Sequence, residues 1–167
     1  TTLDPRFAIA FLEKGLALCR LAKDQEAIAA YDRAIAVDPS SASAYFNKGL
    51  SLKNLNRLDD ARLAFDAAIN LDAERYETWF NQGMVLFALK RFEEAKTAFD
   101  RAIELDQNSY AANFEKGLTL SNLKRYDEAI TAFTRAITLD NTKKSGHYEL
   151  GLAYAKLNRN EEAESAF

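Results

Sequence analysis

Apolar residues in this chain fall into stripes three and four positions apart, broken by short polar stretches, and the whole pattern returns every 34 residues. Five glycines mark the return: Gly15, Gly49, Gly83, Gly117 and Gly151. With that glycine placed at position 8 of a 34-residue register, position 20 is always alanine, at Ala27, Ala61, Ala95, Ala129 and Ala163. Position 24 is always aromatic, at Tyr31, Phe65, Phe99, Phe133 and Phe167. Position 27 is alanine at Ala34, Ala68, Ala102 and Ala136, and position 28 is isoleucine at Ile35, Ile69, Ile103 and Ile137. Positions 20, 24, 27 and 28 share one side of an α-helix, and positions 4, 8 and 11 make a similar stripe on an earlier helix. The pattern predicts two antiparallel helices per unit. Small residues at 8 and 20 admit close backbone approach, and the ring at 24 fills the space beside them. A unit this short cannot bury its apolar face alone, so its neighbours must cover it, which makes the expected fold all-α and stacked.

Polar breaks such as Asn56-Arg57, Lys90-Arg91 and Lys124-Arg125 separate the two stripes and predict a basic residue at the end of each first helix. The acidic pairs Asp59-Asp60, Glu93-Glu94, Asp127-Glu128 and Glu161-Glu162 open the second helix, where they complement its dipole. The second stripe ends in Val or Leu followed by Asp38, Asp72, Asp106 or Asp140, and the only prolines, Pro5 and Pro39, are expected between units. The register divides the chain into a tail of a preceding unit at 1–7, units at 8–41, 42–75, 76–109 and 110–143, and a truncated unit at 144–167. Leu3-Asp4-Pro5 fits positions 30 to 32, and the last unit stops at position 24, so a piece of a longer array is expected. Its uncapped apolar ends predict weak head-to-tail self-association.

These columns resemble the tetratricopeptide repeat, which has an aromatic residue at 4, Gly at 8, a large apolar residue at 11, Ala at 20, an aromatic at 24, Ala at 27 and Pro at 32. Position 4 here reads Phe11, Tyr45 and Trp79, then departs to Asn113 and His147. Position 11 reads Leu18, Leu52, Leu86, Leu120 and Tyr154, and proline at 32 survives only as Pro39. Position 7, usually leucine in the family, is Lys14, Lys48, Gln82, Lys116 and Leu150, a variant that resembles prokaryotic and archaeal arrays. The resemblance implies a right-handed α-solenoid of antiparallel helix pairs in about five units. It also implies a non-catalytic protein–protein interaction scaffold whose first helices line a concave surface through positions 2, 5, 6, 9, 12 and 13.

Carried onto this chain, position 5 gives Leu12, Phe46, Phe80, Phe114 and Tyr148, and position 9 gives Leu16, Leu50, Met84, Leu118 and Leu152, with Phe87 at position 12. These stripes either face a groove or pack between units, and both alternatives stand at this point. Asn47 and Asn81 at position 6 are candidate partners for a peptide backbone. The groove is thus expected to take a peptide or partner helix with apolar or aromatic anchors. Glu13, Glu77, Glu115 and Glu149 stand against Arg20, Lys53 and Lys156, a mixed and slightly acidic balance. The family's two-carboxylate clamp for chaperone tails needs basic residues at 2, 5 and 6, and this chain has none there.

With 167 residues, 48% hydrophobic and 28% charged, the chain has the composition of an ordered domain. A net charge of -3 and a pI near 5.3 argue against nucleic acid, although helical-repeat RNA binders of similar period form a remote alternative. Neither a long apolar run nor an apolar leader is visible, so no membrane association and a cytoplasmic location are expected. Cys19 and His147 are the single residues of their kinds and lie nearly four units apart, too far for a nucleophile and base. The acidic pairs recur at helix starts, where dipole and solubility explain them, and no phosphate loop or metal-spaced cluster is present. The expectation is therefore a chain without catalytic residues, metal or cofactor. The alternative function is a structural module that self-assembles or orders flanking domains.

Overall fold

A computed structural model of the protein describes residues 5–167. The described residues form ten α-helices and no strand: α1 (Pro5–Arg20), α2 (Asp24–Val37), α3 (Ala42–Asn54), α4 (Leu58–Leu71), α5 (Tyr76–Ala88), α6 (Phe92–Leu105), α7 (Tyr110–Asn122), α8 (Tyr126–Leu139), α9 (Lys144–Lys156) and α10 (Asn160–Ala166). The chain divides into two compact halves, the first ending at Val85 and the second spanning Leu86–Phe167. In the first half α1 packs on α2, α2 on α3 and α3 on α4, and in the second the same succession runs from α6 to α10. Each half is thus a stack of helix pairs. The expected tail at Leu3 and Asp4 lies outside the described residues. Pro5, expected between units, instead opens α1, where its missing N–H costs nothing and its fixed φ suits the first helical turn.

The glycine column follows from the aromatic column. A Cβ on Gly49 would stand 2.7–2.9 Å from the Phe65 ring, on Gly117 2.5–2.9 Å from Phe133, and on Gly151 2.6–2.9 Å from Phe167, and on Gly15 it would overlap Tyr31. The position-24 rings of Tyr31, Phe65, Phe99 and Phe133 are fully buried. Only a residue without a side chain lets the first helix lie against such a ring, so Gly at 8 and the aromatic at 24 are one packing device. Ala27, Ala61, Ala95 and Ala129 are buried beside them, consistent with close approach of the paired helices.

Each first helix is closed the same way. The amides at positions 15 and 16 donate back to carbonyls of the last turn, as in Asn56 N to Lys53 O and Arg57 N to Leu52 O, both 2.9 Å. The position-15 residue sits in the left-handed region at φ 55–61°, yet it is Ala22, Asn56, Lys90, Lys124 or Asn158, never glycine. The basic residue expected at the end of the first helix proves to be the N-cap of the second, at Lys23, Arg57, Arg91, Arg125 and Arg159. Its charge is offset by the acid three residues on, as in Arg57–Asp60 at 2.7 Å and Arg91–Glu94 at 2.6 Å. The aspartate ending each second helix is its C-cap, and its carboxylate accepts the amide two residues later, at Ser40, Glu74, Asn108 and Thr142.

Successive pairs are joined by a buried row of small residues and a polar link. Ala44, Thr78 and Ala112 at position 3, with Ser51, Val85, Thr119 and Ala153 at position 10, are buried. The position-25 aspartate of one pair meets position 7 of the next: Asp32–Lys48 at 2.6 Å, Asp66–Gln82 at 2.5 Å and Asp100–Lys116 at 2.6 Å. In the last such place both partners change together, to Thr134 and Leu150. The lysine that departs from the family's leucine at position 7 is therefore one half of a link between pairs.

Candidate peptide-binding face

Within each half the odd-numbered helices lie side by side. Among the described residues α1 touches α3 and α7 touches α9, whereas α2 does not touch α4, nor α6 α8. The odd helices thus form the inner face of each stack, and positions 5, 6, 9, 12 and 13 are distributed along it.

Position 5 is a packing column first. Phe46 lies 5.9 Å from Phe65, Phe114 5.8 Å from Phe133 and Tyr148 5.9 Å from Phe167, so each ring leans on the aromatic of its partner helix. Exposure differs along the column. Phe46 is 6% exposed because the Arg75 guanidinium sits 4.0 Å above its ring, so groove exposure does not hold there. Leu12, Phe80 and Phe114 are half-buried, and Phe80 and Phe114 stack on Tyr76 and Tyr110 one turn earlier at 5.8 and 5.7 Å. Tyr148 is 56% exposed.

At position 9, Leu16, Leu50, Met84 and Leu118 are half-buried and Leu152 is 36% exposed. Phe87 packs edge-on against Phe92 at 5.4 Å, which ties it to the start of α6. In the second half a cavity of about 220 Å³ opens between α7 and α9, lined by Leu118, Ser121, Asn122 and Tyr126 on one side and by Glu149, Leu152, Ala153 and Lys156 on the other.

The two asparagines are partly spent. Asn47 donates to the Ser43 carbonyl at 2.7 Å, and Asn81 donates to the Glu77 carbonyl at 2.8 Å while accepting from Lys53 Nζ at 2.6 Å. Only Asn47 keeps an amide oxygen without a partner. Burial holds Lys53 below the ordinary lysine pKa. In the second half position 6 carries Glu115 and Glu149, and burial holds both carboxyls above their ordinary value.

Models described as tetratricopeptide repeats match residues 46–110, 80–145 and 145–167, and one described as TPR repeat matches residues 15–56. The chain belongs to the tetratricopeptide repeat family. No curated protein matches this tetratricopeptide repeat chain. Among solved structures it is similar to a MamA protein at 22% identity and TM-score 0.95, over 98% of this chain and 90% of the other. A MamA structure from Desulfovibrio magneticus RS-1 aligns at 18% identity and TM-score 0.91, over 100% and 93%. YrrB, described as a TPR protein with an unusual peptide-binding site, aligns at 28% identity and TM-score 0.88, over 95% and 82%. The MamA likenesses establish the fold.

Two features of this tetratricopeptide repeat chain went unseen in the sequence. Cys19 Sγ lies 3.0 Å from Ser51 Oγ and 3.2 Å from Tyr31 Oη, a polar cluster spanning α1, α2 and α3 that only repeat 1 builds, because only it has Tyr at position 24. Away from the inner face, a crevice between the helices of a pair recurs at positions 4, 7 and 11. It measures about 270 Å³ beside Tyr45, Lys48 and Leu52, about 280 Å³ beside Asn113, Lys116 and Leu120, and about 560 Å³ beside His147, Leu150 and Tyr154. The large one is where the Lys–Asp link is replaced by Leu150 and Thr134. His147 accordingly lines an open crevice. Among the described residues no helix is long and apolar enough to cross a membrane.

Proposed function

We propose that this tetratricopeptide repeat chain is a non-catalytic interaction scaffold that binds an apolar-anchored peptide or partner helix along its odd-numbered helices. The observation that carries the reading is the α7–α9 cavity, walled by Leu118 on one side and Leu152 on the other, with Phe114 and Tyr148 one turn earlier on the same helices. Large apolar side chains left uncovered next to a cavity are how recognition grooves present anchoring sites. The likeness to YrrB, which is described as having a peptide-binding site, supports the same reading. Phe114 and Leu118 extend the face in the second half as half-buried walls, and in the first half Leu12, Leu50, Phe80 and Met84 line that half's own inner face, with Phe46, under Arg75, as support.

A peptide-display library screened against the chain and against Tyr148→Ala/Leu152→Ala tests this. Anchors of this kind cost roughly 2 kcal/mol each when truncated. The parent is expected to enrich a shared apolar motif that the variant, with helicity intact, fails to select; equal selection by both removes these residues from the site. The second reading, assembly between copies, draws on Phe7 and Ile9, which are 55% and 62% exposed on α1. A strictly monomeric sedimentation profile at high concentration would dismiss it.

A further inference from the structure

Seven acidic side chains in the described residues are half-buried, and five have partners. Asp24 accepts from Asn54, Asp38 from Ser40, Asp66 from Arg62 and Gln82, Asp100 from Lys96 and Lys116, and Asp140 from Thr142. The remaining two are Glu115 and Glu149, and neither carboxylate has a hydrogen-bond or ion-pair partner among the described residues. They are equivalent positions of the adjacent helices α7 and α9, and both belong to the inner face already described. Each follows a large ring, Phe114 or Tyr148, and each precedes an aliphatic residue by three, Leu118 or Leu152.

A carboxylate partly withdrawn from water without a partner is destabilising to the free protein, and the rest of this chain avoids the situation. Burial alone raises both carboxyls, with no compensating donor. Of the equivalent positions in the first half, Glu13 is exposed to water, whereas Asn47 and Asn81 are neutral and turn their amides onto their own helix. The nearby cation in the cavity wall is Lys156, exposed at the end of α9 and two turns beyond Glu149, with no carboxylate in its reach. Position 6 of the second half is therefore left wanting positive charge between apolar flanks.

We infer that the inner face of the C-terminal half receives a segment bearing an arginine or lysine flanked by apolar residues, the cation seated between Glu115 and Glu149 and the flanks on the Leu118–Leu152 cavity. The inference rests on the proposed peptide-binding reading and narrows its partner to a cationic, apolar-anchored one. Desolvated charge pairs of this kind set specificity as well as affinity.

The test uses synthetic peptides that share leucine and phenylalanine anchors and differ at one central residue, which is arginine, its neutral isostere citrulline, or glutamate. Binding to the full chain and to Glu115→Gln/Glu149→Gln is read by fluorescence anisotropy at low and high salt. The arginine peptide is expected to bind the parent roughly tenfold more tightly than the citrulline peptide, and the glutamate peptide more weakly than either. That preference should shrink with salt and vanish in the glutamine variant, which keeps its affinity for the citrulline peptide. Equal binding of arginine and citrulline peptides overturns the inference and leaves apolar docking standing. Failure of every peptide to bind a folded parent overturns both.

Discussion

Gly117→Ala sets two rules of helix chemistry against each other, and the structure says which wins. In the middle of a helix, alanine is favoured over glycine by about 0.8–1.0 kcal/mol, so propensity alone predicts a more stable protein. The new Cβ would, however, stand 2.5, 2.6 and 2.9 Å from Cε1, Cδ1 and Cζ of Phe133. Non-bonded carbons rest about 3.5–4.0 Å apart, so α7 and α8 must separate by roughly an ångström or the ring must leave its place. Phe133 is fully buried in a cluster with Leu120, Ala129, Ala132 and Ala153 and has nowhere to go. Overpacking of this sort costs about 1–3 kcal/mol, and with contacts this short the upper end applies, so the propensity gain is outweighed and a net loss of up to about 2 kcal/mol remains. The assay is urea unfolding followed by circular dichroism, with Gly146→Ala as the comparison. There the added Cβ comes no nearer than 3.0 Å to any neighbour, with Ile137 Cγ1 and Tyr110 Oη at that distance, so its loss should be smaller. In a double-mutant cycle, Phe133→Leu should recover about 1 kcal/mol or more of the Gly117→Ala penalty. A Gly117→Ala midpoint equal to or above the parent's would refute the argument that position 24 dictates position 8.

Two further outcomes follow from links described above. Thr134→Asp with Leu150→Lys should rebuild the Asp–Lys pair found at Asp100–Lys116 and stabilise the chain by up to about 1 kcal/mol, with each single change neutral or worse, as thermal unfolding of the three variants would reveal. Burial, and then the hydrogen bond with Cys19, hold the Tyr31 phenol above its ordinary pKa. It stays neutral in the folded chain while the unfolded phenol ionises above about pH 10, so its stabilising effect is lost as pH rises through that point. Tyr31→Phe should flatten the alkaline fall in stability relative to the parent, and parallel pH profiles for the two would count against the buried phenol.

The helix pairs were legible because the demands on positions 8, 20 and 24 are steric and admit few residue types. The left-handed turn at position 15 was not, since Ala22, Lys90 and Lys124 carry none of the usual glycine signal and the conformation is imposed by the helices on either side. The small-residue row was missed for a different reason. Ser51, Val85, Thr119 and Ala153 share a size and a burial but not a polarity, so a hydrophobic pattern passes over them. At the candidate face the sequence located the columns but not their exposure. Nothing in Phe46 itself announces its burial, which comes from Arg75 folding over the ring from the loop before α5. Asn81 likewise looked available until Lys53, on the preceding odd helix, was seen to hold its oxygen.

The link between position 25 of one pair and position 7 of the next gives the repeats an order. Five copies of one unit look interchangeable, and at the first three junctions they are, since each sets an aspartate against Lys or Gln, but the last junction, Thr134 with Leu150, is matched to its own neighbour alone. Moving the last unit to follow the third would set Leu150 against Asp100, and moving the fourth to follow itself would set Lys116 against Thr134. An array that moved or copied either side of the last junction alone would fold each hairpin and still mismatch at that seam, so the chain can lengthen there only where the copied block carries both Thr134 and Leu150.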